Sequence, residues 1–308
     1  MPGISRERVG VPDEPSIAPF FMLGPTAVGK SRLAVELAEC VGGEIVGADA
    51  FQVYAGFDVL GAKPSAELRA RVPHHLIGEV SLSERFDVAQ WLARARECIA
   101  DIEVRGRVPI VCGGTGLYVR ALTHGLAPLP GADAALRATL EKEPLSSLAE
   151  RLRLLDPAST VDMRNPRRVI RALEVCILTG RPFSSFRAEW NGESTPHGVI
   201  LSRSREELHS AIRARTDAMF AAGVIEEVAN AGEVGPTALQ MLGLADIREH
   251  IAGRITREQC IEAICLATRQ YMKRQLTWFR KESAFGWLDL SATPDPLAEL
   301  LRRFGTRG

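Results

Sequence analysis

The residues from Gly24 to Ser31 read Gly24-Pro25-Thr26-Ala27-Val28-Gly29-Lys30-Ser31 and fit the spacing G-x-x-x-x-G-K-S. That combination makes an anion cradle. Glycines let backbone N–H groups turn toward one point, a helix starting at the loop's end adds its dipole, Lys30 supplies a point charge, and the Ser31 hydroxyl suits Mg²⁺. The spacing specifies phosphate and leaves open which phosphate compound carries it. A carboxylate follows at Asp49, directly after the short apolar run around Ile45 and Val46. It reads in two ways: as the Mg²⁺ ligand or helix cap of an ordinary P-loop nucleotidase, or as a general base within hydrogen-bond reach of a substrate N–H or O–H. A third stretch, Gly113-Gly114-Thr115-Gly116, comes after the apolar Val108 to Cys112. On turn preferences alone it is a tight loop, but its glycines also suit close approach of a substrate. P-loop ATPases and GTPases usually carry a further apolar strand that ends in a Mg²⁺-binding Asp; here Ile110-Val111-Cys112 runs into glycine instead.

Basic residues gather in two places. From Arg151 to Arg187 there are eight arginines against three acids, Asp156, Asp162 and Glu174. Farther on, Arg269, Lys273, Arg274, Arg280 and Lys281 are interleaved with Tyr271, Trp278 and Phe279, with no acid before Glu282. Either run alone reads as a solvated helix face. Two of them in a chain of balanced charge, one with aromatics, read as contacts to a nucleic-acid backbone with stacking on bases. His74 and His75 are adjacent and point apart in any regular element, which argues against a shared metal. Trp91, on an apolar helical face, reads as core.

The elements that position these groups follow from periodicity. Ile17 to Leu23 is an apolar run suited to a buried strand, and Leu33, Ala34, Leu37, Ala38 and Val41 recur at helical spacing, so the phosphate loop joins strand to helix. Glu44 to Asp49 is a second strand. Asp87 is placed to cap a helix carrying Trp91, Leu92, Ala95, Cys98, Ile99 and Ile102 on one face, with Gly106 as stop. Val108 to Cys112 is a third strand, followed by a helix through Val119 and Leu122. Strands alternating with helices, each functional loop at a strand's C-terminal end, predict an α/β fold: a P-loop parallel sheet flanked by helices. The pattern changes near Gly125. Between Ala127 and Pro196 only helices are legible (Ala134 to Leu140, Leu145 to Leu155, Pro166 to Thr179), so an inserted helical subdomain is expected. Val199 to Leu201 returns to the sheet, and helices run from there to the end. The division expected is 16–125 for the first part of the core, 126–197 for the insertion, and 198–308 for the return to the core.

Composition sets the class. With 46% hydrophobic residues over 308 positions the chain can bury a sizeable core. Basic and acidic residues are equal at 38 each, so nucleic-acid affinity must come from local clusters. No apolar stretch approaches the length of a bilayer span, and Met1 to Pro15 lacks the apolar core of an export signal. A cytoplasmic monomer that does not engage a membrane is expected. The six cysteines show no C-x-x-C pair and no zinc spacing, and are expected to be reduced and mostly structural.

Taken together, these residues resemble the P-loop prenyltransferases that modify tRNA, the tRNA dimethylallyltransferase (tRNA isopentenyltransferase) family. The likeness runs from about Phe20 to Trp287. It rests on the phosphate loop, on Asp49-Ala50-Phe51-Gln52-Val53-Tyr54 with Ala62-Lys63-Pro64, on His74-His75-Leu76-Ile77, on Gly113 to Tyr118, on Arg168-Val169-Ile170-Arg171-Ala172-Leu173-Glu174-Val175, and on Lys273-Arg274-Gln275-Leu276-Thr277-Trp278-Phe279-Arg280. The resemblance implies that the loop's anion is the diphosphate of dimethylallyl diphosphate, assisted by Mg²⁺ at Ser31. The acceptor it implies is N6 of adenosine-37, next to the anticodon in the anticodon loop of tRNA. It further implies that Asp49 takes the N6 proton while Thr115 and Arg215 assist. The tRNA contacts implied are Asp49, Ala50, Phe51, Gln52, Thr115, Pro130, Arg167, Arg168, Val169, Ile170, Arg171, and the run from Lys273 through Gln275, Leu276, Thr277, Trp278 and Phe279 to Arg280. No ATP hydrolysis is needed in such a reaction, which accounts for the missing second Asp.

The chain departs from the family's usual pattern at Ala50, Gly61, Gly78, Ala211 and Leu244-Ala245, mostly losing hydrogen-bonding groups on the RNA side; Arg213 is the expected substitute for an arginine at 211. Three rivals stand beside this reading: a P-loop small-molecule kinase, which would need ATP; an adenylate isopentenyltransferase, which would not need the basic runs; and a non-catalytic RNA-binding protein with a relict loop.

Overall fold

A computed structural model describes residues 18–187 and 196–306. The expectation for Met1 to Pro15 lies outside them, as does Ile17 of the first strand. In chain order the elements are β1 (Phe20–Leu23), α1 (Lys30–Val41), β2 (Gly43–Ala48), α2 (Ala66–Arg71), β3 (His74–His75), α3 (Val88–Val104), β4 (Val108–Gly113), α4 (Gly116–His124), α5 (Ala134–Leu140), α6 (Leu145–Leu155), α7 (Pro166–Thr179), β5 (His197–Ser202), α8 (Arg205–Ala221), α9 (Val224–Ala229), α10 (Leu244–Ile251), α11 (Arg257–Phe279), β6 (Gly286–Asp289) and α12 (Pro296–Gly305). Two short 3₁₀ turns lie at Phe183–Arg187 and Ala238–Gln240. Two compact units result, Met1–Val119 with Thr195–Gly308, and Arg120–Ser194.

The first unit holds a six-stranded, all-parallel sheet in the order β3-β2-β4-β1-β5-β6. Every residue of β1 and β2 is buried, as required when helices cover both faces of a parallel sheet. Register fixes what happens at the strand ends. Leu23 and Ala48 both pair with Gly113, so β1, β4 and β2 finish at one level, and the residues that follow them, Gly24, Gly114 and Asp49, emerge side by side. Such a crevice at the carboxyl ends of parallel strands is where α/β sheets bind ligands.

Local chemistry sets the helix ends. Asp87 caps α3 by accepting from the backbone N–H groups of Ala89 and Gln90, and Gln90 returns a bond to Asp87 N, the capping box. Trp91 is fully buried, donates Nε1–H to Gly47 O at 2.9 Å and stacks on Tyr118 with ring centroids 4.3 Å apart. Two strands depart from the sequence reading. After Val199 to Leu201 the chain does not stay helical, because β6 joins the sheet edge, and β3 forms the opposite edge. Both are short, and neither His-His nor Gly-Trp-Leu-Asp carries an apolar run or a clear alternation. His75 bonds Glu44 through Nε2 at 2.8 Å, while His74 Nδ1 lies 2.9 Å from Val72 O. The six cysteines are unpaired. Among the described residues no helix is long and apolar enough to cross a membrane.

The second unit is helical among its described residues. Leu140, Leu148, Leu152, Val169, Leu173 and Cys176 form its core. Asn165 caps α7 with Pro166 in the first turn, and Gly180 ends it in the left-handed region, the usual asymmetry of helix ends. Glu174, fully buried, accepts from Arg137, Arg171 and the N–H of Asp133, which ties α5 to α7.

Candidate functional site

At the end of β1 the chain turns through Gly24 at φ 152°, Ala27 at φ 66° and Gly29 at φ 98°, and α1 begins at Lys30. The left-handed Gly29 is the turn that points the loop's last amides along the helix axis; a side chain there would be strained. Lys30 Nζ lies 2.8 Å from Gly24 O and 2.7 Å from Pro25 O, folded back over its own loop. Burial lowers its pKa to about 8, against the stabilising charge of Asp49. Cys112, half-buried beside Lys30 and Asp49, has its thiol pushed up to about 11 chiefly by desolvation, which keeps it protonated and a poor nucleophile.

The loop is clamped from two sides. Arg203, between β5 and α8, donates to Val28 O at 3.2 Å. Gln275 of α11 accepts from Thr26 N–H at 2.8 Å and donates to Gly114 O at 3.0 Å. One buried amide therefore couples the phosphate loop to the glycine loop after β4. The close fit explains the glycines: a Cβ on Gly114 would come within 2.3 Å of Gln275, and one on Gly116 within 2.2 Å of the Trp278 indole. Replacing Gln275 by Leu orphans a loop N–H and a buried carbonyl, each costing ~1–3 kcal/mol. The variant is expected to unfold at lower urea and to bind inorganic diphosphate more weakly, which denaturant titration and calorimetry would measure.

Asp49 stands just past β2. Its Oδ1 accepts from the N–H groups of Phe51 at 3.0 Å and Gln52 at 3.4 Å, so the turn after it orients the carboxylate. Thr115 Oγ1 accepts from Ala50 N–H at 3.1 Å, and Thr115 N–H donates to Ala48 O at 3.2 Å. Thr115 thus braces the Asp49 turn. A cavity of about 70 Å³ opens here, lined by Thr26, Asp49, Gln52, Arg215, Thr268 and Tyr271 among polar groups and by Leu60, Met219, Met241, Leu242 and Ile264 among apolar ones. Arg215, on α8, is half-buried, and its buried Nε has no hydrogen-bond partner. Burial pulls its pKa down while Asp49 pulls it up. Tyr271 has its phenol pushed up by burial first and by Asp49 second. An arginine whose Nε has no partner and a lysine bonded to two carbonyls lie beside one carboxylate at the edge of a cavity whose lining is half polar and half apolar. That arrangement can bind a bridging anion and place an apolar group next to a base.

For Mg²⁺ the donor set is sparse. Among the described residues no cluster of three or more His, Cys, Asp or Glu could hold a metal. The hard oxygens present, the Ser31 hydroxyl and the Asp49 carboxylate, fit an ion that keeps several waters and takes its remaining ligands from a substrate's phosphates.

Several residues expected at the RNA surface are placed otherwise. In α11, Lys273, Arg274, Thr277 and Arg280 are exposed, Leu276 and Trp278 are half-buried, and Gln275 and Phe279 are buried. The run splits by helix face, so Phe279 belongs to the core and Gln275 to the loop clamp. In α7, Arg167 and Arg168 are exposed while Val169 and Ile170 pack into the helical unit's core. Arg171 is held by Glu174 and donates to Pro130 O at 2.7 Å, so these two partner each other. Arg213 does not replace an arginine at 211: it lies on the outer face of α8, paired with Asp217 and Glu262. Gly61 is explained by packing, since a Cβ there would meet Phe57 O at 2.6 Å. Tyr271 was legible only as an aromatic of the second basic run, and the apolar lining escaped the sequence reading because it comes from four separate segments. The legible signal was the stripe Ile264, Thr268, Tyr271, Gln275, spaced four, three and four on one face of α11.

Comparison with known proteins agrees with this architecture. A family model described as IPP transferase matches residues 52–282. The chain is 42% identical over 294 residues to the tRNA dimethylallyltransferase of Geobacter sulfurreducens, covering 91% of this chain and 94% of that one. With the enzyme of the same name from Akkermansia muciniphila the identity is 41% over 281 residues, covering 91% and 96%. Among solved structures, the full-length tRNA isopentenylpyrophosphate transferase of Bacillus halodurans superposes with a TM-score of 0.69 at 33% identity, covering 94% of this chain and 95% of that one. A eukaryotic dimethylallyltransferase acting on tRNA gives 0.76 at 26% identity, covering 90% and 75%. The phosphate loop at the switch of a parallel sheet, the carboxylate beside it, and matches of this extent place the chain in the IPP transferase family.

Proposed function

We propose that this protein transfers a dimethylallyl group from dimethylallyl diphosphate to N6 of the adenosine at position 37 of tRNA, beside the anticodon, and releases diphosphate. The observation that carries this reading is the meeting of Lys30 and Arg215, whose Nε is unpartnered, with Asp49 at the rim of a cavity that is apolar on one side. A kinase would put a phosphoryl group, not a hydrocarbon, at the carboxylate. In the reaction the N6 lone pair attacks C1 of the allylic chain, the C1–O bond to diphosphate breaks with its electrons, and Asp49 accepts the proton that N6 loses. An adenine amine is a poor nucleophile because its lone pair is delocalised into the ring, so a hydrogen-bonded base lowers the barrier. Lys30, Arg215 and the loop amides stabilise the charge that accumulates on the leaving diphosphate. Mg²⁺, held at Ser31, would supply further neutralisation of that charge. The anticodon loop is single-stranded, so swinging one base out to reach Asp49 costs only a few kcal/mol. Incubation with labelled dimethylallyl diphosphate, Mg²⁺ and either bulk tRNA or AMP tests the proposal; label in AMP alone, or in neither acceptor, rejects it.

The depressed Lys30 makes diphosphate binding pH-dependent. Its ammonium is lost as pH rises through about 8, and an anion binds the protonated form, so binding takes up a proton. Affinity for inorganic diphosphate is expected to be flat below pH 7.5 and to fall up to tenfold per pH unit above 8. Calorimetry at pH 7 and 9 measures it, and Lys30→Gln should remove the slope.

The exposed Arg168 and Arg274 are the proposed phosphate contacts of the tRNA. Each Ala substitution is expected to weaken tRNA binding and to reduce the salt slope by about one. Filter binding across a salt series reads both quantities, and an unaltered slope removes that arginine from the RNA surface.

A further inference from the structure

We infer that Met219 and Met241 set the length of the prenyl chain this site accepts, closing the cavity at five carbons. The inference rests on the proposed donor and adds to it. The apolar lining of the cavity comprises Phe51, Leu60, Ala62, Met219, Met241, Leu242 and Ile264, of which Leu60, Met219, Met241 and Ile264 are buried. An apolar cavity of about 150 Å³ takes the six heavy atoms of benzene, so about 70 Å³ encloses about three heavy atoms, the branched end of a dimethylallyl chain, with the reacting carbons at the mouth beside Asp49. A dimethylallyl chain has five carbons; a geranyl chain has ten, and an adenine ring has ten heavy atoms, so neither of these fits.

The wall is held in place. The N–H groups of Val59 and Leu60 donate to the two Glu227 carboxylate oxygens, each at 2.8 Å, and Gln52 Nε2 donates to Ala62 O at 2.9 Å. Ile264 packs against Gly243, whose φ of 88° turns the chain just after Met241 and Leu242. Backbone therefore fixes Leu60, Leu242 and Ile264, while the two methionines fill the rest with unbranched chains. Truncating one Met to Ala removes three heavy atoms, and truncating both removes six. A second isoprene unit needs five.

The test measures kcat/KM for dimethylallyl and geranyl diphosphates with tRNA and Mg²⁺, in the wild type and in Met219→Ala/Met241→Ala. A single surplus methylene in a tight apolar pocket costs 10–200-fold, so the wild type is expected to favour the five-carbon donor at least about a hundredfold. In the double variant that preference should fall at least tenfold, through a gain on the longer donor. Leu242→Phe makes the opposite change and stands independently should the double variant fail to fold. It is expected to lower kcat/KM for the five-carbon donor at least tenfold while inorganic diphosphate binds as before. A wild type that uses both donors equally overturns the inference, as does a donor preference unchanged in a folded double variant or, should that variant not fold, a five-carbon kcat/KM unchanged in Leu242→Phe. A wild type that prenylates no tRNA with either donor defeats the proposed reaction itself, a distinguishable result.

Discussion

Asp49→Asn is expected to slow prenyl transfer by at least about a hundredfold, the lower end of what a positioned general base contributes, while the affinity for diphosphate stays within about twofold. The two halves of this expectation have separate structural origins. Asn keeps an oxygen that accepts from Phe51 and Gln52 N–H, so the turn and the fold around it are retained. It also keeps the size of the side chain at the cavity rim. What it loses is the capacity to hold a proton taken from N6. Single-turnover transfer with labelled donor, set beside diphosphate titration in Mg²⁺, separates the roles. A parallel fall in binding and transfer would make Asp49 chiefly a metal ligand, the alternative open from the sequence.

Arg215→Met carries the second large effect. Transfer is expected to fall about 100–1,000-fold, the range for removing one preorganised donor to developing charge, yet the unliganded protein should be as stable as before or more so. The reason lies in the burial of a guanidinium whose Nε has no partner and whose pKa burial pulls down. A desolvated charge that Asp49 offsets only in part costs folding free energy, and an unbranched apolar chain of similar length removes that cost. A structural arginine would behave in the opposite way. Thermal melting and transfer kinetics on one preparation decide between them; a destabilised variant with normal kinetics would take Arg215 out of the site.

Binding should then change the balance of the unliganded site. Burial pulls the pKa of both Lys30 and Arg215 down, and a bound diphosphate would favour the charged form of each. Donor binding is therefore expected to stabilise the fold beyond its own contacts' share, with the same pH dependence derived for Lys30. The glycine loop takes part through Gln275, since the loop amide of Thr26 and the carbonyl of Gly114 share one side chain.

Much of this was written in the order of the residues. The phosphate loop, the carboxylate at the end of the second strand and the glycine loop after the fourth declare themselves because each depends on local backbone geometry, which spacing encodes. The helices at Ala134–Leu140, Leu145–Leu155 and Pro166–Thr179 were legible for the same reason: caps, prolines and a 3.6-residue period act within a few positions. The edge strands β3 and β6 were not, because two to four residues carry no period and owe their extended form to a neighbouring strand. Nor could the basic runs reveal which of their members face outward: Phe279, Val169 and Ile170 sit among cations in sequence but under the surface in space. The apolar cavity is the clearest case. Leu60, Met219, Met241 and Ile264 are ordinary core residues until parallel pairing brings β1, β4 and β2 to one level and α8 and α11 cover the crevice from the far end of the chain. Local spacing determines where an anion can be held, whereas only the packing of distant segments determines what hydrocarbon fits beside it.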